Sequence, residues 1–187
     1  MDEFVLETNR LVIRNWIEKD RDLFYQINSD DAVMEFFPFR RDRTAANKMM
    51  DELKVSIKDN GYGFTAVALK ETNEVLGFCG LSELTADDVF PHNTMEIGWR
   101  LAPQFWGKGY ITEAAVKLLQ FGFETLQLPE IISFAVHNNL RSLAVMKRIG
   151  MIRTPHLDFD HPRVPDTHPH LKRHLVYKMT AEEFIQN

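Results

Sequence analysis

The hydrophobic positions change period repeatedly along the chain. "RLVIRNW" alternates apolar and polar residues, as a half-buried strand does, and "EKDRDLFYQINSDD" then sets Leu23, Phe24 and Ile27 at helical spacing. A second helix is predicted near residues 43–58, ending at the "DNGYG" turn. "FTAVALK" and "EVLGFCGLSEL" predict two strands joined as a hairpin through "ETNE", and "TMEIGWRLAP" a third that stops at Pro103. From Ile111, residues Ala114, Ala115, Leu118, Leu119, Phe123 and Leu126 recur at three and four, the buried stripe of a helix running to about "LQLP". "EIISFAVH" is a buried strand, and "NNLRSLAVMKRIG" a helix with Asn at its start and Gly150 as its stop. Beyond Met151 the pattern weakens into a Pro- and His-rich loop, "HPRVPDTHPH", followed by the strand "KRHLVYKMT" and a short last helix.

Composition narrows the classes. With 187 residues and 44% hydrophobic content, the chain is long enough for one well-buried core, and a single domain over residues 1–187 is expected. A net charge of -5 argues against nucleic acid as a partner, since such a binder needs a concentrated basic face. "MDEFVLETNR" lacks the basic and apolar regions of a signal peptide, and no apolar run approaches membrane-spanning length, so a cytoplasmic protein is expected. The lone Cys79 cannot form an internal disulfide, and its apolar setting in "VLGFCGL" favours an inert buried thiol over a nucleophile.

The chemistry concentrates in "PQFWGKGYITEAA", where a strand meets a helix through two glycines. Unpaired N–H groups at a helix N-terminus form an anion site, and glycine lets a phosphate approach them. The plain alternative is a tight turn. Neither a Walker loop nor the dinucleotide fingerprint fits, because Thr112 stands where the third glycine of the latter belongs.

Gln104-x-x-Gly107-x-Gly109, after a strand carrying an acid, resembles the acyl-CoA signature of the GNAT superfamily of N-acetyltransferases. The resemblance extends over "LETNRLVIRNW", "MEIGWRLAPQFWGKGYITEA" and "VHNNLRSLAVMKRIGM", and is nearest the ribosomal-protein N-terminal acetyltransferase branch. It implies an α/β (α+β) GNAT fold, with a mixed, mostly antiparallel central sheet of about six or seven strands and helices on both faces. It also implies acetyl-CoA as cosubstrate and no metal. The pyrophosphate would lie on main-chain amides from Trp106 through Gly107, Lys108 and Gly109 to Tyr110, with Gln104 and Thr112 in the same motif. Trp99 and Leu101 would flank the pantetheine arm, Asn139 would reach it, and Ser142 would face the same cleft. Arg148 would meet an adenine-side phosphate or stand as a plain exposed charge.

For direct attack by an amine, the resemblance nominates Glu96 as base; a substrate anchor, a salt-bridge partner and a water relay remain alternatives. A backbone N–H near Gly98 to Arg100 would polarise the carbonyl. Many members carry a tyrosine acid seven residues after the asparagine, where this chain has Met146, which has no proton to give. Ser142 is the substitute nominated, against a capping or packing role.

An α-amine with a pKa of about 7.7 to 8.0 is easier to use as a neutral nucleophile than a lysine near 10.4, which favours a protein or peptide N-terminus as acceptor. A small amine and a noncatalytic acyl-CoA sensor are the alternatives. Phe36, Phe37 and Phe39, beside Arg40 and Arg41, form either an acceptor wall or a packed corner between helices. Five of the seven histidines lie at 156, 161, 168, 170 and 174. Of these, His168 and His170 are expected to line the acceptor site rather than to bind metal. A monomer or homodimer is expected.

Overall fold

The computed structural model describes residues 4–84 and 89–186. Strands β1 (Val5–Glu7) and β2 (Leu11–Arg14) lead into helices α1 (Arg21–Ser29) and α2 (Arg43–Asn60). Strands β3 (Phe64–Leu69), β4 (Val75–Glu83) and β5 (Met95–Leu101) follow, then helix α3 (Tyr110–Gln120), continued by a π-helical turn at Phe121–Thr125. The chain goes on through β6 (Glu130–Val136), α4 (Leu140–Arg148), β7 (Ile152–Arg153), β8 (Phe159–Asp160), β9 (Arg173–Thr180) and α5 (Ala181–Gln186).

The strands form one sheet in the order β1-β2-β3-β4-β5-β6-β9-β7, with β8 also on β9. Among the described residues there are nine strands against about six or seven expected, because β1, β7 and β8 have only two or three residues each, too few to display a period. Every pairing is antiparallel except β5 with β6. That parallel pair needs a crossover, which α3 supplies.

Strand β4 is buried from Val75 to Leu81 because helices cover the sheet on both sides, with α1 and α3 both packing on it. Trp16 locks the first helices to the sheet: its ring meets Phe24 edge-on at 4.7 Å, and its indole N–H donates to the Phe64 carbonyl at 2.8 Å. Helix α2 begins where the Asp42 carboxylate accepts the Ala45 amide at 2.7 Å. Among the described residues, no helix is long and apolar enough to cross a membrane.

Candidate active site

The glycine turn creates the first part of the site. Gly107 and Gly109 have φ of 73° and 77°, the left-handed region that side chains disfavour. Gly109 is the residue before α3 and gives that helix no side-chain cap. The first helical bond runs from the Glu113 amide to the Gly109 carbonyl at 3.1 Å, so the amides of Tyr110, Ile111 and Thr112 precede any intrahelical acceptor. A Cβ built on Gly107 would meet nothing within 4 Å. The approach to these amides is therefore open. Arg10 braces the turn, donating to the Lys108 carbonyl at 3.1 Å and to Glu113 at 2.6 Å.

The second part is a fork in the sheet. Strands β5 and β6 register only at Glu96 and Ile132, and the Ser133 hydroxyl closes the fork by donating to the Ile97 carbonyl at 2.8 Å. Past that point β5 has β4 on one side and a cleft on the other. This cleft has a volume of about 1600 Å³. Such space exceeds the roughly 300–1,000 Å³ typical of a small-molecule site and accommodates a long cosubstrate together with an acceptor. Uncapped amides at one end and an opened strand edge along the side fit the pyrophosphate and amide-rich arm of CoA.

Helix α4 forms the far wall. The Asn139 side-chain carbonyl accepts the Ser142 amide at 3.2 Å, which caps the helix and leaves the Asn139 amide group for the cleft. Arg141 ties this wall to the loop after α1 through a 2.7 Å ion pair with Glu35, while its guanidinium lies 4.5 Å from the Trp106 ring centre.

Charge is unevenly distributed in the cleft. Burial pushes the Glu96 carboxyl up to about 7, against the opposing pull of Arg163. Arg100 lies on the same face of β5, and burial together with the nearby charge of Arg41 lowers it to about 9. His174 is pushed below its ordinary value by burial. Cys79 is fully buried in β4, and burial drives its thiol upward.

Most of the expected residues come together. Glu96, Trp99, Leu101, Trp106, Gly107, Lys108, Gly109, Tyr110, Thr112, Asn139, Ser142, Phe36, Phe37 and Phe39 all line the cleft. Glu96 shares its strand face with Gly98 and Arg100, opposite Met95, Ile97 and Trp99, as strand alternation requires. The Leu101 carbonyl accepts the Trp106 indole N–H at 2.8 Å, so one of its lone pairs is already used.

Gln104, His168 and His170 do not join that lining. Gln104 faces α1, accepting from Gln26 at 3.5 Å. His168 and His170 sit on a short 3-10 turn at Pro169–Leu171, where His168 pairs with the Thr167 hydroxyl at 2.9 Å. The cleft is instead lined by His161 and His174, which antiparallel pairing of β8 with β9 brings together at 5.0 Å. Sequence reasoning also missed Arg100 as a cleft side chain, although its two-residue spacing from Gly98 and four from Glu96 was available as a signal.

Comparisons agree with this geometry. Residues 10–152 match the family described as "Acetyltransferase (GNAT) domain". The chain is similar to "Uncharacterized N-acetyltransferase YnaD" of Bacillus subtilis (strain 168), 33% identical over 153 residues, which is 79% of this chain and 82% of that protein. It is also similar to "FsC-acetyl coenzyme A-N(2)-transacetylase" of Aspergillus fumigatus, 27% identical over 97% of this chain and 78% of the relative. The crystal structure of a GNAT-family acetyltransferase from Bacillus anthracis superposes with a TM-score of 0.79 and 26% identity, covering 95% of this chain and 99% of the other. The chain belongs to the GNAT acetyltransferase family.

Proposed function

We propose that this acetyltransferase works as one domain, with acetyl-CoA as its acyl donor and the α-amine of a peptide or protein N-terminus as its acceptor. Acetyl-CoA supplies the acyl group as an activated thioester. The amides following Gly107 and Gly109 hold its pyrophosphate, the open edge of β5 pairs with its arm, and Asn139 bonds to the arm from α4.

The observation that carries the reading is Glu96, which lines the cleft from β5 in a buried setting that pushes its carboxyl up to about 7. A base in that range is half ionised near neutral pH and is matched to an α-amine of pKa about 7.7 to 8.0. Glu96 takes the proton that the amine loses as its N–C bond forms. A β5 amide polarises the thioester carbonyl. Ser142 donates to the sulfur as the C–S bond breaks, because Met146 is buried and has no proton to give. Phe36, Phe37 and Phe39 form the apolar wall along which the acceptor lies.

Acetylation of a small amine is the second reading, supported by the similarity to the Aspergillus transacetylase over nearly the whole chain. Free-thiol release from acetyl-CoA separates the two. Peptides with a free N-terminus should give thiol, and the same peptides with a blocked α-amine should give none. Release with small amines only would overturn the peptide reading.

A further inference from the structure

Arg100 lies in the cleft with its charge held by aromatic rings and a neutral amide rather than by a carboxylate. Its guanidinium stands 4.5 Å from the Phe37 ring centre and 5.2 Å from that of Phe78, and Nη1 donates to the Asn28 side-chain carbonyl at 2.6 Å. Asn28 is fully buried and fixed by donating to the Phe24 carbonyl at 2.7 Å, so this bond holds Arg100 in place. Among the described residues, neither Arg100 nor Arg41 has an ion-pair partner. Arg41 stacks on Phe39 at 4.7 Å, and its amide donates to the Asn28 main-chain carbonyl at 2.9 Å, which brings the second cation beside the first. The contrast with Arg40 is direct, since Arg40 pairs with Asp31 at 2.9 Å.

Two neighbouring guanidiniums in an aromatic pocket without a carboxylate repel one another, and partial burial adds to the cost. A planar fork held on one side by a neutral amide, with its other donors toward a cleft, matches the two oxygens of a carboxylate. The geometry between Arg100 and Glu96 completes the picture. They stand four positions apart on one face of β5, about 13 Å between Cα atoms. Gly98 lies between, where an added Cβ would come within 3.0 Å of the Phe64 ring. The floor between the two groups is therefore smooth and apolar.

We propose that Arg100, backed by Arg41, is a receptor for a carboxylate carried by the acceptor, whose amine lies toward Glu96. This rests on the reading of the cleft as an amine-acetylating site. The carboxylate has two sources, an acidic side chain at the start of a peptide or the α-carboxylate of a free amino acid.

The test compares matched acceptors by thiol release. One pair is Glu-Ala-Ala amide against Gln-Ala-Ala amide; the other is free glutamine against glutamine amide. The acidic member of at least one pair should have a kcat/KM at least about 10-fold higher, and the pair that shows it identifies the source. Arg100→Gln should bring the ratio toward one, with a thermal melt confirming that the variant is folded. Should that variant not fold, Arg41→Gln should still reduce the ratio. Equal use of both members of both pairs by the parent protein, or an unchanged ratio in the folded variant, would overturn the proposal. A binding measurement keeps the two readings apart if no amine turns over. Ligand-observed NMR should detect glutarate over glutaramide in the parent and lose the difference in Arg100→Gln, while equal signals would sink the receptor.

Discussion

The Glu113 carboxylate in the first turn of α3 grips Arg10 twice, accepting the side-chain Nε–H at 2.6 Å and the main-chain N–H at 2.9 Å, and it also accepts the Thr8 hydroxyl at 2.6 Å. One side chain thus fastens the turn between β1 and β2 to the glycine turn, nearly a hundred residues further along the chain. Burial pushes the Glu113 carboxyl up, but the hydrogen bonds from Thr8 and Arg10 outweigh it and hold the group below its ordinary value. A depressed carboxylate stabilises the fold above its unfolded pKa and ceases to do so as acid titrates it, so the brace is intact at neutral pH.

Glu113→Ala should therefore loosen the turn more than it unfolds the protein. Titration calorimetry with CoA should show affinity lowered about 5- to 10-fold, with a stability loss of about 1 to 2 kcal/mol for the partly exposed pair. A large fall in melting temperature with unchanged CoA affinity would assign Glu113 to folding alone.

Gly107→Ala separates conformation from space. A left-handed φ costs an L-residue about 1 to 2 kcal/mol, whereas the empty surroundings of Gly107 add no clash of their own. The new methyl group would stand in the approach to the amides of α3. The denaturation midpoint should fall by the equivalent of about 1 to 2 kcal/mol, and CoA affinity measured on the folded variant should fall by about 10-fold or more.

Asp20 offers a stability test away from the cleft. It is fully buried, accepts Arg14 through both oxygens at 2.7 and 3.1 Å, and also accepts the Ile17 amide at 3.0 Å. Asp20→Ala strands the Arg14 guanidinium, itself only 8% exposed, and should cost about 3 to 5 kcal/mol in urea unfolding. Activity measured per folded molecule should not change.

The parts of this molecule evident in its sequence are those where period and chemistry coincide. The alternation of "MEIGWRL" places Glu96 and Arg100 on one face, and the stripe from Ile111 marks the buried side of α3. The helical stripe continued smoothly to Leu126, yet the last turn widens, with the Leu126 amide reaching the Phe121 carbonyl five residues back. Side-chain spacing alone did not reveal this change in backbone bonding. The histidines show a second limit. His161 and His174 meet only because β8 folds back on β9, a pairing between two-residue and eight-residue strands that no local pattern encodes. His168 and His170, only two positions apart in the chain, lie outside the cleft lining. Gln104 fits its motif by position, but the 3-10 turn at Pro103–Phe105 directs it toward α1.

Glu96 should leave opposite marks on activity and stability. If it serves as the base, the ionised form is active, and the α-amine must also be neutral. Below about pH 7 the logarithm of kcat/KM should rise with a slope of two, and between about 7 and 8 with a slope of one. In Glu96→Gln the steeper limb should disappear and the rate should fall about 10²- to 10⁴-fold. Stability runs the other way. The folded carboxyl titrates at about 7 against a reference value of 4.5, so its contribution is fully present below the unfolded pKa and is lost as pH rises through 7. Glu96→Gln removes a half-buried charge and should be more stable than the parent by on the order of 1 to 3 kcal/mol at pH 8, with the difference shrinking toward pH 4. A simple packing or salt-bridge role predicts the reverse, a destabilised variant with an unchanged pH profile, so paired denaturation and rate measurements across pH 5 to 9 distinguish the two roles.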